Sequence, residues 1–308
     1  NATTNPLNAS GGAAAFAGVN YTKAEAVRLK ASAAGLADVL SNTITVSAAA
    51  ASQAGLSGPA PVTAGSVSGA FTLTSQDSFG NVSSVTQNTV FNLSSSSGGT
   101  VTFYSDAAGT IPITQVTIAG AASSAAFYYR DTKSGASTVT AATASGDALG
   151  FAVATVTVNP AAASQAGLSG PASMTAGSVS GAFTLTSLDS ASNAAGVTQN
   201  TVFNLSSNST GTVTFYSDAA GAVSITQVTI ASGASSAVFY YRDTKSGAPA
   251  VTAAVASGNA LGSANATVTV NPATVSGLVI STSAFSVGAG SSAGAVTLQA
   301  RDTFGNIV

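Results

Sequence analysis

Hydrophobic residues along this chain recur at every second position. The pairs Phe71/Leu73, Phe91/Leu93, Val101/Phe103 and Phe127/Tyr129 are each interrupted by Thr, Asn or Tyr. That is the period of a strand with one buried and one wet face. Turn-forming residues separate the runs: SFGN at 78–81, SGG at 97–99, DAAG at 106–109 and TKSGA at 132–136. The spacing predicts roughly seven to nine short strands in about 100 residues. A two-sheet sandwich suits such a series, and a small barrel is the alternative.

The pattern repeats. SQAGLSGPA at 52–60 returns unchanged at 164–172, a spacing of 112 residues. TAGSVSGAFTLTS, VTQNTVFNLSS, GTVTFYSDAAG and FYYRDTKSGA recur at the same spacing, and ATVTVNPA closes both copies. A period of this length is a domain rather than a solenoid or propeller unit, so each copy is expected to fold around its own core. The organisation is therefore a trailing half-repeat at 1–50, full repeats at 51–162 and 163–273, and a leading half-repeat at 274–308. Residues 23–40 (KAEAVRLKASAAGLADVL) have good helix propensity. They occupy the place of the last strands of a repeat, however, and are expected to be strand. The half-repeats suggest a window cut from a longer continuous repeat protein, with head-to-tail strand complementation between subunits as the alternative.

The motifs D-x-x-G-N (Asp302/Gly305/Asn306 and Asp77/Gly80/Asn81), G-x-A-x-F (Gly12/Phe16), Y-T-K (Tyr21/Lys23) and a terminal T-V (Thr45/Val46, Thr155/Val156) resemble those of bacterial immunoglobulin-like repeats. The invasin/intimin-type modules of surface adhesins are the nearest comparison. The resemblance covers nearly the whole chain and implies an all-β fold of tandem immunoglobulin-like β-sandwich domains. It also implies rod-like stalks in adhesins, filaments or surface layers.

Composition narrows the function classes. Charged residues make up 6% and hydrophobic ones 45%, and the net charge is −2. The eight basic residues form no stripe for phosphate neutralisation, so nucleic acid is not an expected partner. The most apolar run, FAVATVTV at 151–158, is far shorter than the roughly 20 residues of a membrane-spanning helix. The low charge and the Ser/Thr/Gly/Ala/Val bias point to a secreted, prokaryotic cell-surface protein. Cys, His and Trp are absent, and Glu25 is the sole glutamate. Disulfides, Cys/His metal sites and Ser-His-Asp or Cys-His catalysis are thereby excluded. No enzyme activity, catalytic residue or cofactor is expected.

Three further features invite a functional reading. Loop carboxylates at Asp77, Asp106, Asp189 and Asp218, with Asp131 and Asp147, could supply oxygen to calcium. Asp and Asn also favour turns without any metal, and Asp147 becomes Asn259 in the second copy, which favours the metal-free reading. The matched sets Tyr128, Arg130, Asp131 and Tyr240, Arg242, Asp243 are interface candidates, through an inter-repeat salt bridge or an outward tyrosine. An exposed pair at a strand end is the plainer account. Asn-x-Ser/Thr occurs at Asn1, Asn8, Asn20, Asn81, Asn92, Asn204, Asn208 and Asn265, in a chain so rich in Ser and Thr that chance produces most matches.

Short linkers containing Asn159-Pro160 and Asn271-Pro272 limit hinge freedom. Near-identical copies in tandem suit length and repeated contacts. The sequence thus predicts a stalk, extracellular filament or surface-layer component whose partners are copies of itself or neighbouring repeats. The alternative is an adhesin module with a host or neighbour-cell glycan or protein as ligand.

Overall fold

The computed structural model describes residues 7–283, 285–292 and 294–308. The chain is all-β, built from tandem immunoglobulin-like sandwiches, and it divides into two compact units between Asn159 and Pro160.

The first unit opens with two short antiparallel pairs, β1 (Ala26–Val27) with β4 (Ile44–Thr45) and β2 (Lys30–Ala31) with β3 (Val39–Leu40). Residues 23–40 are therefore not helical, despite their Ala and Leu content. The full repeat follows as β5 (Gln53–Ser57), β6 (Val62–Thr63), β7 (Phe71–Gln76), β8 (Thr89–Ser95), β9 (Val101–Tyr104), β10 (Pro112–Ile113), β11 (Gln115–Ile118), β12 (Ser124–Asp131), β13 (Gly135–Ser145) and β14 (Phe151–Asn159). One sheet has the order β10-β9-β12-β7-β5, and the other β11-β8-β13-β14-β6. The two sheets remain separate ladders, which favours the sandwich over the barrel. Ten strands form where seven to nine were expected, because two-residue strands such as β6 and β10 are too short to display an alternation.

The alternating residues converge as predicted. Phe71, Leu73, Phe91, Leu93, Phe103, Phe127 and Tyr129 are all buried in one cluster between the sheets. Phe71 stacks on Phe127 at 5.3 Å between ring centroids, and Phe103 meets Phe127 edge-on at 5.8 Å. Aromatic pairs of this kind add to the stabilisation from area burial alone.

The second unit repeats the design with β15 (Gln165–Ser169), β16 (Ser173–Thr175), β17 (Phe183–Leu188), β18 (Thr201–Ser207), β19 (Val213–Tyr216), β20 (Ser224–Ile225), β21 (Gln227–Ile230), β22 (Ser236–Asp243), β23 (Ala250–Ser257), β24 (Ser263–Thr267) and β25 (Thr269–Asn271). The sheet β15-β17-β22-β19-β20 matches its counterpart strand for strand. The other sheet departs where Pro249 replaces Ser137. Proline has no N–H for the ladder, so β23 begins only at Ala250 and the final strand breaks at Val268 into β24 and β25. A hairpin of β26 (Gly277–Ile280) and β27 (Leu298–Arg301) follows.

One core atom in the first repeat is badly placed. Thr143 Oγ1, beside the bulge in β13, is buried without a hydrogen-bond partner. Leaving such a group unsatisfied costs about 1–3 kcal/mol. The second copy has Val255 there, of the same shape and without the hydroxyl. Thr143→Val is expected to stabilise the first repeat by about 1 kcal/mol, read as a higher urea midpoint at unchanged slope. A lower midpoint would mean that the hydroxyl is satisfied in solution.

Candidate functional site at the repeat joint

The D-x-x-G-N loop follows β7 and β27, its counterpart after β17 reads D-S-A-S-N, and the aspartate is buried each time. In Asp77, Oδ1 accepts the backbone N–H groups of Phe79 and Asn81, each at 2.9 Å. Its Oδ2 accepts the Asn81 side-chain amide and the Ala49 N–H, again at 2.9 Å. Asp189 repeats the set with Ala191, Asn193 and Ala161, and Asp302 with Phe304, Asn306 and Ala273. Each carboxylate thus closes its own loop and ties down a residue of the linker that leads into the repeat. The turn requires a left-handed residue just before the asparagine. Gly80 (φ 85°) and Gly305 (φ 82°) supply it freely, whereas Ser192 holds φ 65° at a cost that glycine avoids.

The asparagine reaches backward along the chain. Asn81 Nδ2 donates to Thr22 O at 2.7 Å, and its Oδ1 accepts the Ala24 N–H at 2.8 Å. In the second unit, Asn306 Nδ2 donates to Thr244 O and its Oδ1 accepts the Ser246 N–H, both at 2.9 Å. Thr244/Ser246 lie in the turn between β22 and β23, and Thr22/Ala24 hold the equivalent positions just before β1. One amide therefore pairs with the backbone of the preceding repeat much as a strand would, and needs no particular side chain there. Phe304 adds an apolar contact. A Cβ on Gly177, whose φ is +79°, would lie 2.2 Å from its ring, so this approach is open only to glycine.

In these geometries the calcium candidates are engaged by N–H and hydroxyl donors. Asp77 and Asp189 direct their oxygens at N–H donors, which carry the wrong polarity for sharing a site with a cation. Asp106 is occupied by Thr110 and Ile111, and Asp218 by Ala220, Ala222 and Val223. Asp147 bonds the Thr86 N–H and hydroxyl, both at 2.6 Å. Among the described residues, no group of three or more metal-ligating side chains converges. The hydrogen bonds also explain the acidity of the joint. The Asn81 side-chain amide, opposed by burial and joined by three backbone N–H groups, lowers the Asp77 pKa to about 2.

The interface candidates divide by strand parity. Arg130 and Arg242 are exposed, and Tyr128 and Tyr240 are half-buried on the outer face. Asp131 and Asp243 point the other way, into the sandwich, with 1% and 0% exposure. They therefore form no outward salt bridge with their arginine neighbours. Instead the buried Tyr129 and Tyr241 hydroxyls donate to them at 2.7 Å. Among the glycosylation motifs, Asn81 is committed to the joint, whereas Asn92 and Asn204 are exposed and accept from Gln115 and Gln227 at 2.8 Å. Asn1 lies outside the described residues.

Each full repeat also carries a groove at the edge where β9 and β10 face β8 and β11, and where β19 and β20 face β18 and β21, mainly apolar in the first repeat and more polar in the second. The grooves have volumes of about 700 and 690 Å³, over Leu93, Phe103 and Ile113 in the first repeat and Leu205, Phe215 and Ile225 in the second.

No protein-family model and no curated protein matches the chain. Among solved structures, the chain is similar to invasin, a bacterial integrin-binding protein, at 14% identity over 84% of this chain and 48% of that one, with a TM-score of 0.36. It is similar to the Escherichia coli adhesin FdeC at 19% identity over 80% and 74%, with a TM-score of 0.31. The surface-layer protein SbsC is similar at 17% identity over 98% of this chain and 38% of that one, with a TM-score of 0.27. The chain thus spans about half of the invasin structure. The sandwich assignment rests on the strand pairing itself.

Proposed function

We propose that the chain is a structural repeat region of a secreted prokaryotic cell-surface protein, forming a stalk, extracellular filament or surface-layer component, without catalytic activity. The observation that carries this reading is the joint. Linker amides at Ala49, Ala161 and Ala273, spaced by one repeat each, are held by the buried aspartate of the repeat that follows. A protein that needs only one binding surface has no use for so uniform an anchoring of the segment that leads into each module. Catalysis finds no support in the chemistry either. The sole glutamate, Glu25, is paired with Lys23 at 2.6 Å, and the buried carboxylates are saturated by hydrogen bonds.

A ligand-binding adhesin module is the second reading, and the grooves favour it, since each repeat would offer a site at the same place. Electron micrographs of the native assembly separate the two. The structural reading expects ordered filaments or a lattice with the repeat as its period. Isolated projections that carry a bound glycan or protein would overturn it in favour of adhesion.

A further inference from the structure

Asp243 is a buried carboxylate with no ion-pair partner among the described residues. Burying an unpaired charge is unfavourable, and an apolar residue of similar volume serves a sandwich core better. Both full repeats nevertheless place an aspartate here, Asp131 and Asp243, each beneath a fully buried tyrosine. Packing does not account for this, but the position of the carboxylate does.

Tyr241, whose hydroxyl also contacts Ser207 Oγ at 2.9 Å, donates to Asp243 Oδ2 at 2.7 Å. Asp243 Oδ1 accepts the Lys245 N–H at 2.9 Å, which closes a turn over Thr244. That turn presents Thr244 O and Ser246 N–H, the two groups that Asn306 of the next repeat engages. Gly211 packs behind the same carboxylate. A Cβ there would lie 2.5 Å from Asp243 Oδ1 and 2.6 Å from Lys245 Cβ, so the neighbouring loop reaches the turn only as glycine. The half-repeat in the first unit reaches the same result with different residues. Tyr21 stands in place of the aspartate, and its hydroxyl donates to Glu25, so a tyrosine–carboxylate bond again brackets the turn engaged by Asn81.

We propose that Asp243, fixed from the core side by Tyr241, is a positioning residue for the joint: it holds the Thr244–Ser246 backbone in the arrangement that accepts Asn306 of the following repeat. This rests on the joint reading above. It places control of inter-repeat docking inside the sandwich, at side chains whose hydrogen bonds, among the described residues, all stay within their own repeat. Side chains on the outer surface of the turn are then free to vary, while the core pair and Gly211 are not.

Amide hydrogen exchange on the full chain tests this, with the Ser246 amide reporting the joint and the Leu205 amide, bonded to Thr226 O, reporting the core. Tyr241→Phe keeps the ring and removes the hydroxyl. It is expected to speed Ser246 exchange about tenfold relative to Leu205, because local opening is separated from global unfolding. Asp243→Ala is expected to do the same, and Asp243→Asn, which keeps an Oδ1 acceptor for Lys245, to restore most of the protection. If Ser246 and Leu205 lose protection by the same factor in Tyr241→Phe, or if neither changes, the pair serves the core alone and the positioning role is overturned. Asn306→Ala is the control for the joint. If it leaves Ser246 protected, the docking bond itself is wrong, and both readings fall together.

Discussion

Phe239→Ala will destabilise the second repeat while leaving the first intact. Phe239 is fully buried, stacks on Phe183 at 5.4 Å and meets Phe215 edge-on at 5.9 Å. Removing such a ring loses its transfer energy and leaves a cavity, about 3–5 kcal/mol together. A domain whose whole stability is about 5–15 kcal/mol loses much of it by that change. Phe127 performs the same role in the first repeat, within a hydrophobic cluster that shares no residue with that of the second. Urea unfolding should therefore separate into two transitions, with the amides of β18 and β22 lost early and those of β8 and β12 at their original midpoint. The chain has no tryptophan, so the strand amides themselves are the suitable probes. A joint fall of both midpoints would mean that the repeats fold as one cooperative body.

The same parity that made the core legible also explains what was misread. In β12, Phe127, Tyr129 and Asp131 follow one another at every second position, and all three point inward. The sequence reading followed this rule for the tyrosines but set Asp131 beside Arg130 as a pair. Adjacent residues of a strand face opposite sides, so the alternation already indicated a buried aspartate. The partners of the loop aspartates were hidden for another reason. D-x-x-G-N announces a turn, but its remaining acceptor is filled by a linker amide such as Ala49 N–H, and its asparagine engages Thr22 O and Ala24 N–H. Backbone partners leave no side-chain signature to read. Gly211 and Gly99 were equally silent, because a glycine retained for a close approach looks in sequence like a glycine in an ordinary turn. Pro249 was visible, and its missing N–H accounts for the one sheet that differs between the copies.

The joints will weaken in acid between about pH 4 and pH 2, ahead of any effect attributable to salt. For Asp302, burial pushes the carboxyl upward, but the Asn306 side-chain amide and the N–H groups of Ala273, Asn306 and Phe304 outweigh it, and the pKa falls from 3.8 to about 2. Asp77 is lowered to the same value, chiefly by Asn81. Because the folded pKa lies below the unfolded one, the unfolded chain binds its proton first as the pH drops. The stabilisation is therefore complete above the unfolded value, declines below it, and is gone once the folded carboxyl is protonated near pH 2. Protonation turns an acceptor oxygen into a donor facing Ala273 N–H and the Asn306 amide, so the linker and the loop lose their shared anchor together. The melting temperature should rise with pH across this window. No basic side chain among the described residues pairs with Asp77 or Asp302. The window should then stay in place when salt is added, since screening acts on separated charges and leaves short hydrogen bonds largely untouched. Asp302→Asn should shrink the acid response, because its side chain does not titrate, and should lower stability at neutral pH by setting a donor against donors. A melting temperature that is flat from pH 4 to pH 2 in the unsubstituted chain, or a window that moves with salt, would show that the aspartates are held by something other than these amides.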